Sequence, residues 1–491
     1  MSDKFWTVST SAAVAGGASL SLAPLTLLLG AGNLIVLDLA FAVGMFLIVL
    51  ALTRYARAGN ILLVAHLMVV LLFSVFALIV LNVIDYVAVD YEYDYSVFSL
   101  ESVVTVLALN MSVLGMSFLV YSFFPQLGDR TSLFRLPDRS VFHGRRIPTA
   151  NTRFNVWIAV SWMIIIAVTF LTPNILQFPY PVNAEQPGNL HATIRVFLVL
   201  IPLGVLIAIL VTTGFEMSRQ SVIARATFYA AVAFIGILHG ARGAMTGMLL
   251  AITTMDLLFS RASTQFKVAT LTIDVLYIMF LVFNWAWIRV NAVETGFLQA
   301  FLDSFQNYRD IFEFRSINTG EVHLADVPML GQSLFHFLSV VALIDSGVSL
   351  NYQTFINLLP QQLPEMLDGV LWDRPLNDNW ILGEYFTGGG GFYVYANAYW
   401  NGGIVPMSLF ALGLAWCVAK IEILFKGKDY SFAIAYFAFI FLLPVNIYYG
   451  IQGLVRGLEY GLITYIVIRW WHADRFSGEK AGAYRSKLRG H

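Results

Sequence analysis

A single cysteine, Cys417, stands in a chain of 491 residues, and it lies within an apolar run. Neither a disulfide framework nor a cysteine-based metal site is therefore available. Charge is scarce as well, with Asp, Glu, Lys and Arg making up only 12% of the residues. The 29 basic residues nearly balance the 30 acids, leaving a formal charge of −1 and no basic field with which to recruit nucleic acid. No phosphate loop, nucleophile elbow, zincin motif or dinucleotide fingerprint is present, so chemistry driven by cytoplasmic nucleotide is not indicated. There is no internal repeat, no heptad stretch and no matched pair of broken helices, which argues against a secondary transporter. The Ser/Gly/Ala-rich start has no charged region leading into a clean small-residue cleavage site, and it reads as a weak first span rather than a signal peptide.

What the chain has in abundance is apolar surface. Hydrophobic residues are 58% of the total and the mean hydropathy is +0.73, far beyond what a soluble core of this length needs. A bilayer core about 30 Å thick takes roughly 20 apolar residues in helical form, because lipid satisfies no backbone polar group. Twelve runs qualify, near 11–30, 33–53, 61–84, 102–124, 154–172, 196–213, 222–238, 244–260, 268–288, 402–420, 431–449 and 455–471. Basic residues collect on cytoplasmic loops. Here they fall at Arg54 and Arg57, at Arg130 to Arg153, at Arg261 and Lys267, at Lys420 to Lys428, and along the tail from Arg475 to Arg489. The loop with Asp85, Asp90, Glu92, Asp94 and Glu101 has no basic residue and suits the opposite side.

The expectation is thus an all-α polytopic membrane protein with about twelve transmembrane helices and both termini cytoplasmic. A nine-helix membrane region covers 1–288, one large outer loop with short helices covers 289–401, a three-helix membrane region covers 402–472, and a basic cytoplasmic tail covers 473–491. The loop is too long for a plain connector. Within it, Leu334 to Ile344 is an apolar run of about half a span, suited to a re-entrant or membrane-surface helix.

Three clusters carry chemistry. The first is His239-Gly240-Ala241-Arg242-Gly243, on the outer side between the seventh and eighth spans. An arginine near hydrocarbon depth is costly unless paired or solvated, which makes it a pointer to function. Its guanidinium is matched to phosphate, flanking glycines let backbone N–H groups approach, and the start of the next helix adds a favourable dipole. Diphosphate is a sensible ligand, although an interfacial arginine also snorkels to water. The second is Arg456 with Glu459, which also reads as a neutralising i, i+3 pair.

The third closes the long loop: Gly383-Glu384, the glycines 388 to 391, then Phe392, Tyr393, Tyr395, Asn397, Tyr399, Trp400, Asn401, Gly402 and Gly403. Aromatics interleaved with amides suit sugar rings, and the same composition also makes interfacial aromatic belts. Acids in the loop able to act as general base are Asp303, Asp310, Glu313, Asp326, Asp345, Glu365, Asp368, Asp373, Asp378 and Glu384, and spacing alone selects none of them. The spacing of His323 and His336 makes no metal signature, and His336 on an apolar stretch reads as structural, so no metal and no cofactor are expected.

In this order the clusters resemble the bacterial oligosaccharide repeat-unit polymerases called Wzy, within the lipid-linked-sugar glycosyltransferases of GT-C type. Gly240-Ala241-Arg242-Gly243 looks like the family's Gly-x-Arg-Gly element. Tyr352-Gln353-Thr354-Phe355, then Leu358-Leu359-Pro360 and Arg374-Pro375, look like its loop segment. Gly389-Gly390-Gly391-Phe392 followed by Tyr395 to Gly403 looks like the glycine-rich stretch leading into the next span, with Ala396 and Asn397 where the family often has Glu. Arg456-Gly457 resembles the basic step near the last span.

The resemblance implies an enzyme of the bacterial inner membrane with a periplasmic active site. It would transfer glycan from undecaprenyl diphosphate to a hydroxyl of another lipid-linked repeat unit, with membrane lipids around it and a chain-length regulator and a flippase as partners. Arg242 and Arg456 would steady the departing diphosphate, helped by His239 and Arg374 and less directly by Arg289, Arg309 and Arg315. Glu384, Asp345 or His323 would take the acceptor proton, and Tyr352, Tyr395, Asn397, Tyr399, Trp400 and Asn401 would hold sugar. An O-antigen ligase using the same donor, a lipid-linked sugar transporter and a structural membrane subunit are the other readings.

Overall fold

The computed structural model describes residues 7–30, 33–83, 98–128, 218–239, 263–282, 295–306, 328–358, 392–426 and 447–455 save 449, with scattered residues at 155–167, 249, 288 and 381–382. Among them the regular structure is helical: α1 Val8–Leu29, α2 Leu34–Arg57, α3 Ile61–Val83, α4 Leu100–Ser122, α5 Arg219–His239, α6 Thr264–Val282, α7 Phe297–Gln306, α8 Pro328–Asp345, α9 Gln353–Ile356, α10 Val394–Trp400 and α11 Ile404–Lys426. Five of these, α1 to α4 and α11, are long and apolar enough to cross a membrane. They coincide with the first four runs and the tenth run of the sequence pattern. The runs at 222–238 and 268–288 hold α5 and α6, whereas those at 196–213 and 431–449 lie almost wholly outside the described residues, as do those at 244–260 and 455–471.

The chain divides into two compact units. Unit one comprises Met1–Pro137, Phe314–Gly427 and Leu442–Gly457; unit two comprises Asp138–Glu313, Lys428–Phe441 and Leu458–His491.

In unit one, α1 begins where the Thr7 hydroxyl accepts the Thr10 N–H at 3.2 Å. Its small residues, which make it a weak span by composition, are its joint with α4. A Cβ on Gly115 would stand 3.0 Å from the Gly16 carbonyl oxygen, and one on Gly16 would stand 3.1 Å from that of Gly115. Only glycine at both positions lets the two backbones meet this closely, the same device by which small residues join helices in lipid. α2 turns Ile35, Val36, Leu39, Val43, Phe46 and Val49 outward and Leu37, Phe41, Ile48 and Tyr55 inward. The outward face of α11 is likewise apolar, with Ile404, Val405, Leu409 and Trp416 exposed. Both faces are what contact with hydrocarbon chains demands.

One end of this bundle is tied by polar atoms. Asn60, fully buried, donates from Nδ2 to the Leu127 carbonyl at 2.8 Å and to that of Tyr55 at 3.3 Å. The Glu422 carboxylate of α11 accepts the N–H groups of Leu62 and Leu63 in the first turn of α3, at 2.9 and 3.3 Å. A carboxylate there meets both free backbone donors and the positive end of the helix dipole. The start of α3, the segment after α4 and the last part of α11 therefore lie at the same end of the bundle.

The half-span run at Leu334 to Ile344 belongs to α8, an 18-residue helix that opens on Pro328 at its first position, where the missing N–H is harmless. Eighteen residues rise about 27 Å. From Ser333 to Val341 it is buried on every side. Phe335 meets Phe98 edge-on at 5.4 Å, and Phe337 lies 6.2 Å from Phe73 of α3 and 6.0 Å from Tyr393. The apolar run is thus an interior element of the unit.

Unit two contains α5, α6 and α7. The buried Arg225 of α5 stands 5.7 Å from the Phe266 ring at the start of α6, and Trp162 donates from Nε1 to the Thr227 hydroxyl at 3.1 Å.

Candidate functional site

Seven residues make a helix too short to persist alone, so α10 exists because its surroundings hold it. The Tyr393 ring stacks on Phe73 with centroids 4.0 Å apart and planes within 5°. Its hydroxyl donates to Asn110 Oδ1 of α4 at 2.7 Å. Asn110 in turn donates from Nδ2 to the Ser74 hydroxyl at 2.5 Å and to the Val70 carbonyl at 3.0 Å, both on α3. One carboxamide thereby joins three helices.

A second polar line runs beside it. The Tyr395 hydroxyl lies 2.7 Å from His66 Nε2, and His66 Nδ1 lies 2.6 Å from the Tyr121 hydroxyl. A neutral imidazole donates through one nitrogen and accepts through the other. One phenol therefore donates to the ring and the other accepts from it, whichever tautomer is present. All three side chains are fully buried. The far side of α10 is fastened by the Val394 N–H to the Ile447 carbonyl at 2.8 Å and by the Ile451 N–H to Asn397 Oδ1 at 3.1 Å.

The C-terminal end of α10 emerges at the N-terminal end of α11, 18 residues and so about 27 Å from Glu422 along that helix. Here the segment after α8 folds against it. The Leu350 and Tyr352 N–H groups donate to the carbonyls of Trp400 and Asn401, at 3.0 and 3.1 Å. The Asn401 side chain closes a ring of bonds, accepting the Thr354 N–H at 3.1 Å and donating to the Thr354 hydroxyl at 2.8 Å.

Two consecutive residues in this segment, Asn351 and Tyr352, are left-handed, with φ of 45° and 66°. Asparagine tolerates that region; tyrosine does so only under constraint, and such strain gathers at functional sites. The Tyr352 side chain is about half exposed at 51%, with its hydroxyl end against Gly402. Glycine alone suits position 402, where φ is 146°. Asp345 stands exposed at the end of α8, close enough to Tyr399 that burial first, and the carboxylate second, push the Tyr399 phenol above its usual range. The result is a polar, aromatic rim of Asp345, Ser349, Asn351, Tyr352, Gln353 and Tyr399.

Four sequence candidates, Asp345, Tyr352, Tyr399 and Asn401, therefore come together although they are drawn from two stretches about fifty residues apart. Tyr352 and Asp345 are open to ligand and Tyr399 is partly so. Tyr395, Asn397, Trp400 and Asn401 depart from the expected sugar-facing surface: each is buried, and the polar side-chain atoms of the first, second and fourth bond within the protein. The alternation that looked like a platform is the interior of a packed helix. Trp400 keeps a buried Nε1 with no hydrogen-bond partner among the described residues. His336 is buried with its ring edge-on to Phe392 at 5.8 Å, a structural setting.

Arg242, Arg456, Arg374, Glu384 and His323 lie outside the described residues, as do Arg289, Arg309 and Arg315, and His239 is described only as the last residue of α5. Among the described residues no group of three His, Cys, Asp or Glu side chains stands together.

Sequence reading passed over His66, Asn110, Tyr121 and Glu422 in unit one, and the buried Arg225 and Asp274 in unit two. The signal was there. A histidine or carboxylate inside an apolar run is uncommon enough to be a default candidate, but attention went to the loops. No protein-family model matches the chain, and neither a curated protein nor a solved structure does.

Proposed function

We propose that this chain is a bacterial inner-membrane glycosyltransferase that polymerises undecaprenyl-diphosphate-linked oligosaccharide repeat units into a surface polysaccharide at the periplasmic face. The observation that carries the reading is the rim. Residues nominated from two separate stretches of sequence meet in an exposed, strained and polar setting beside an apolar helix bundle, where a lipid-linked sugar can be reached from the membrane. On this reading the Glu422 end faces the cytoplasm, in keeping with Arg54, Arg57 and Lys420 nearby in sequence, and the rim faces the periplasm.

Tyr352 and Tyr399 offer ring faces and hydroxyls to sugar, and Asp345 is the carboxylate placed to accept the proton of the attacking hydroxyl. The diphosphate is assigned to Arg242, with Arg456, His239 and Arg374 in support, since guanidinium groups in a partly dry site stabilise the charge that develops as the glycosidic bond breaks. Glu384 and His323 stay part of the proposal as alternative bases.

The test is glycan banding from cells lacking their own copy, complemented with wild type, Arg242→Ala, Arg242→Lys or Asp345→Asn at matched membrane levels. Deletion is expected to collapse the ladder to single repeats, with Arg242→Ala failing to restore it. Unchanged chain length with lost attachment to the lipid A core would make the chain a ligase, and an unchanged glycan would end the family reading.

A further inference from the structure

The interior of unit one holds a tie that the proposed chemistry does not use. His66 lies in α3, wholly buried, with a tyrosine hydroxyl on each ring nitrogen: Tyr121 of α4 on Nδ1 at 2.6 Å and Tyr395 of α10 on Nε2 at 2.7 Å. The two phenols have no other hydrogen-bond partner among the described residues. Tyr395 is within the same seven-residue helix whose end supplies Tyr399 and Asn401 to the rim. That helix has too few backbone bonds to fix its own position.

The rim's strained segment leans on that same helix end, since the Leu350 and Tyr352 N–H groups donate to the Trp400 and Asn401 carbonyls and the Thr354 N–H donates to Asn401 Oδ1. The Tyr395 tie is therefore one of the bonds that fix α10, beside Tyr393 to Asn110 and Val394 to Ile447, and through α10 it bears on the left-handed turn at Asn351 and Tyr352. Packing alone is a weaker clamp in a bilayer than in water, because lipid tails compete for apolar contact on equal terms.

We infer that His66 is a positioning residue of the rim: it bridges Tyr121 and Tyr395, and so helps set where α10 presents Tyr399 and, through Asn401, the turn at Tyr352. Placement of the rim is a claim about structure, and only its consequence for glycan rests on the reading above. The geometry also says which replacement should rescue it. Glutamine carries a donating NH2 and an accepting carbonyl oxygen on a flexible stem and can serve both phenols, whereas phenylalanine fills the space and serves neither.

The experiment measures amide hydrogen exchange on the full chain in lipid nanodiscs, for wild type, His66→Phe, His66→Gln and Tyr395→Phe. The last variant removes one oxygen and keeps the ring, so it stays folded if His66→Phe does not. Tyr395→Phe is expected to speed exchange about fivefold to tenfold in 394–403 and 349–357, the factor that loss of about one hydrogen bond gives, and His66→Phe, which breaks both bonds, to speed it by at least as much. Exchange in α1 and α2 is expected to stay the same, and His66→Gln to remain within about twofold of wild type. Unchanged exchange in the two segments would overturn the inference, as would an equal rise everywhere. In cells the same order is expected in glycan chain length, with His66→Phe short and His66→Gln restored. If exchange responds as expected but glycan is unaltered even on deletion, the glycan reading fails and the positioning role stands.

Discussion

The Asn110 knot gives the sharpest energetic prediction. Asn110 uses both amide hydrogens, on Ser74 and Val70, and its oxygen accepts from Tyr393, all in a fully buried setting. Tyr393→Phe keeps the ring on Phe73 and removes one oxygen, at an expected cost of about 1 kcal/mol. Asn110→Ala removes three bonds at once and strands the Tyr393 hydroxyl in the interior, so it should cost roughly 2–4 kcal/mol. Once Asn110 is gone, the Tyr393 hydroxyl is a liability, and Tyr393→Phe should then be neutral or helpful. The double variant is therefore expected to be more stable than the sum of the singles by about 1 kcal/mol, inside the range of roughly 0.6 on average to 1.7 found between helices in lipid. Unfolding free energy from SDS titration in mixed micelles, followed by tryptophan fluorescence, measures all four corners. Additivity within about 0.3 kcal/mol would mean that the bond is not formed in the native protein, and that aromatic stacking alone places the Tyr393 ring.

Three further outcomes follow from other joints. Gly115→Ala drives a methyl group toward the Gly16 carbonyl 3.0 Å away and should cost about 1–3 kcal/mol in the same titration, with cross-linking between cysteines placed on α1 and α4 reporting the lost crossing. Glu422→Ala removes the acceptor from two N–H groups of α3 and should cost roughly 1–2 kcal/mol, with Glu422→Gln costing about half as much because an acceptor oxygen remains. Tyr352→Gly relieves a left-handed backbone at φ 66° and should leave stability unchanged or raise it by about 1 kcal/mol, while glycan chain length falls, a combination that a purely structural tyrosine would not give.

Hydropathy located the five described helices that are long and apolar enough to cross a membrane, because a bilayer demands the same thing of every span. α2, α3, α4 and α11 begin and end within a few residues of their apolar runs, and α2 stops on the expected pair Arg54 and Arg57. What hydropathy could not separate was an apolar helix facing lipid from one facing protein. Leu334 to Ile344 reads as a re-entrant or membrane-surface helix and Tyr393 to Trp400 as a sugar platform, yet the first is packed inside the unit and the second is buried except at Tyr399, because burial against α3 and α4 is a tertiary fact with no period of its own in a short segment. The rim is partly legible: residue type points to Asp345 and Tyr399 and the family resemblance to Tyr352, but the left-handed turn is not legible, since neither Asn351 nor Tyr352 is the glycine that would signal it. His66 and Glu422 were legible in principle, as ionisable residues within or at the edge of apolar runs.

Unit one is held by two different kinds of joint, and the difference bears on where a site can form. Glycines at 16 and 115 join α1 to α4 backbone to backbone, an arrangement that is tight but offers no directionality beyond shape. α3, α4 and α10 are joined by oriented hydrogen bonds through Asn110 and His66, which hold only if each partner keeps its position. A strained conformation such as that of Tyr352 persists only where neighbouring structure over-determines it. The second kind of joint supplies that over-determination, because it fixes α10, and the bonds from Leu350, Tyr352 and Thr354 to Trp400 and Asn401 pass it to the turn. Lipid-facing helices exchange one apolar neighbour for another at little cost, whereas misplacing α10 would leave buried phenol and amide groups unpaired. The buried polar ties are thus the physical reason a preorganised rim can sit at the end of this apolar bundle.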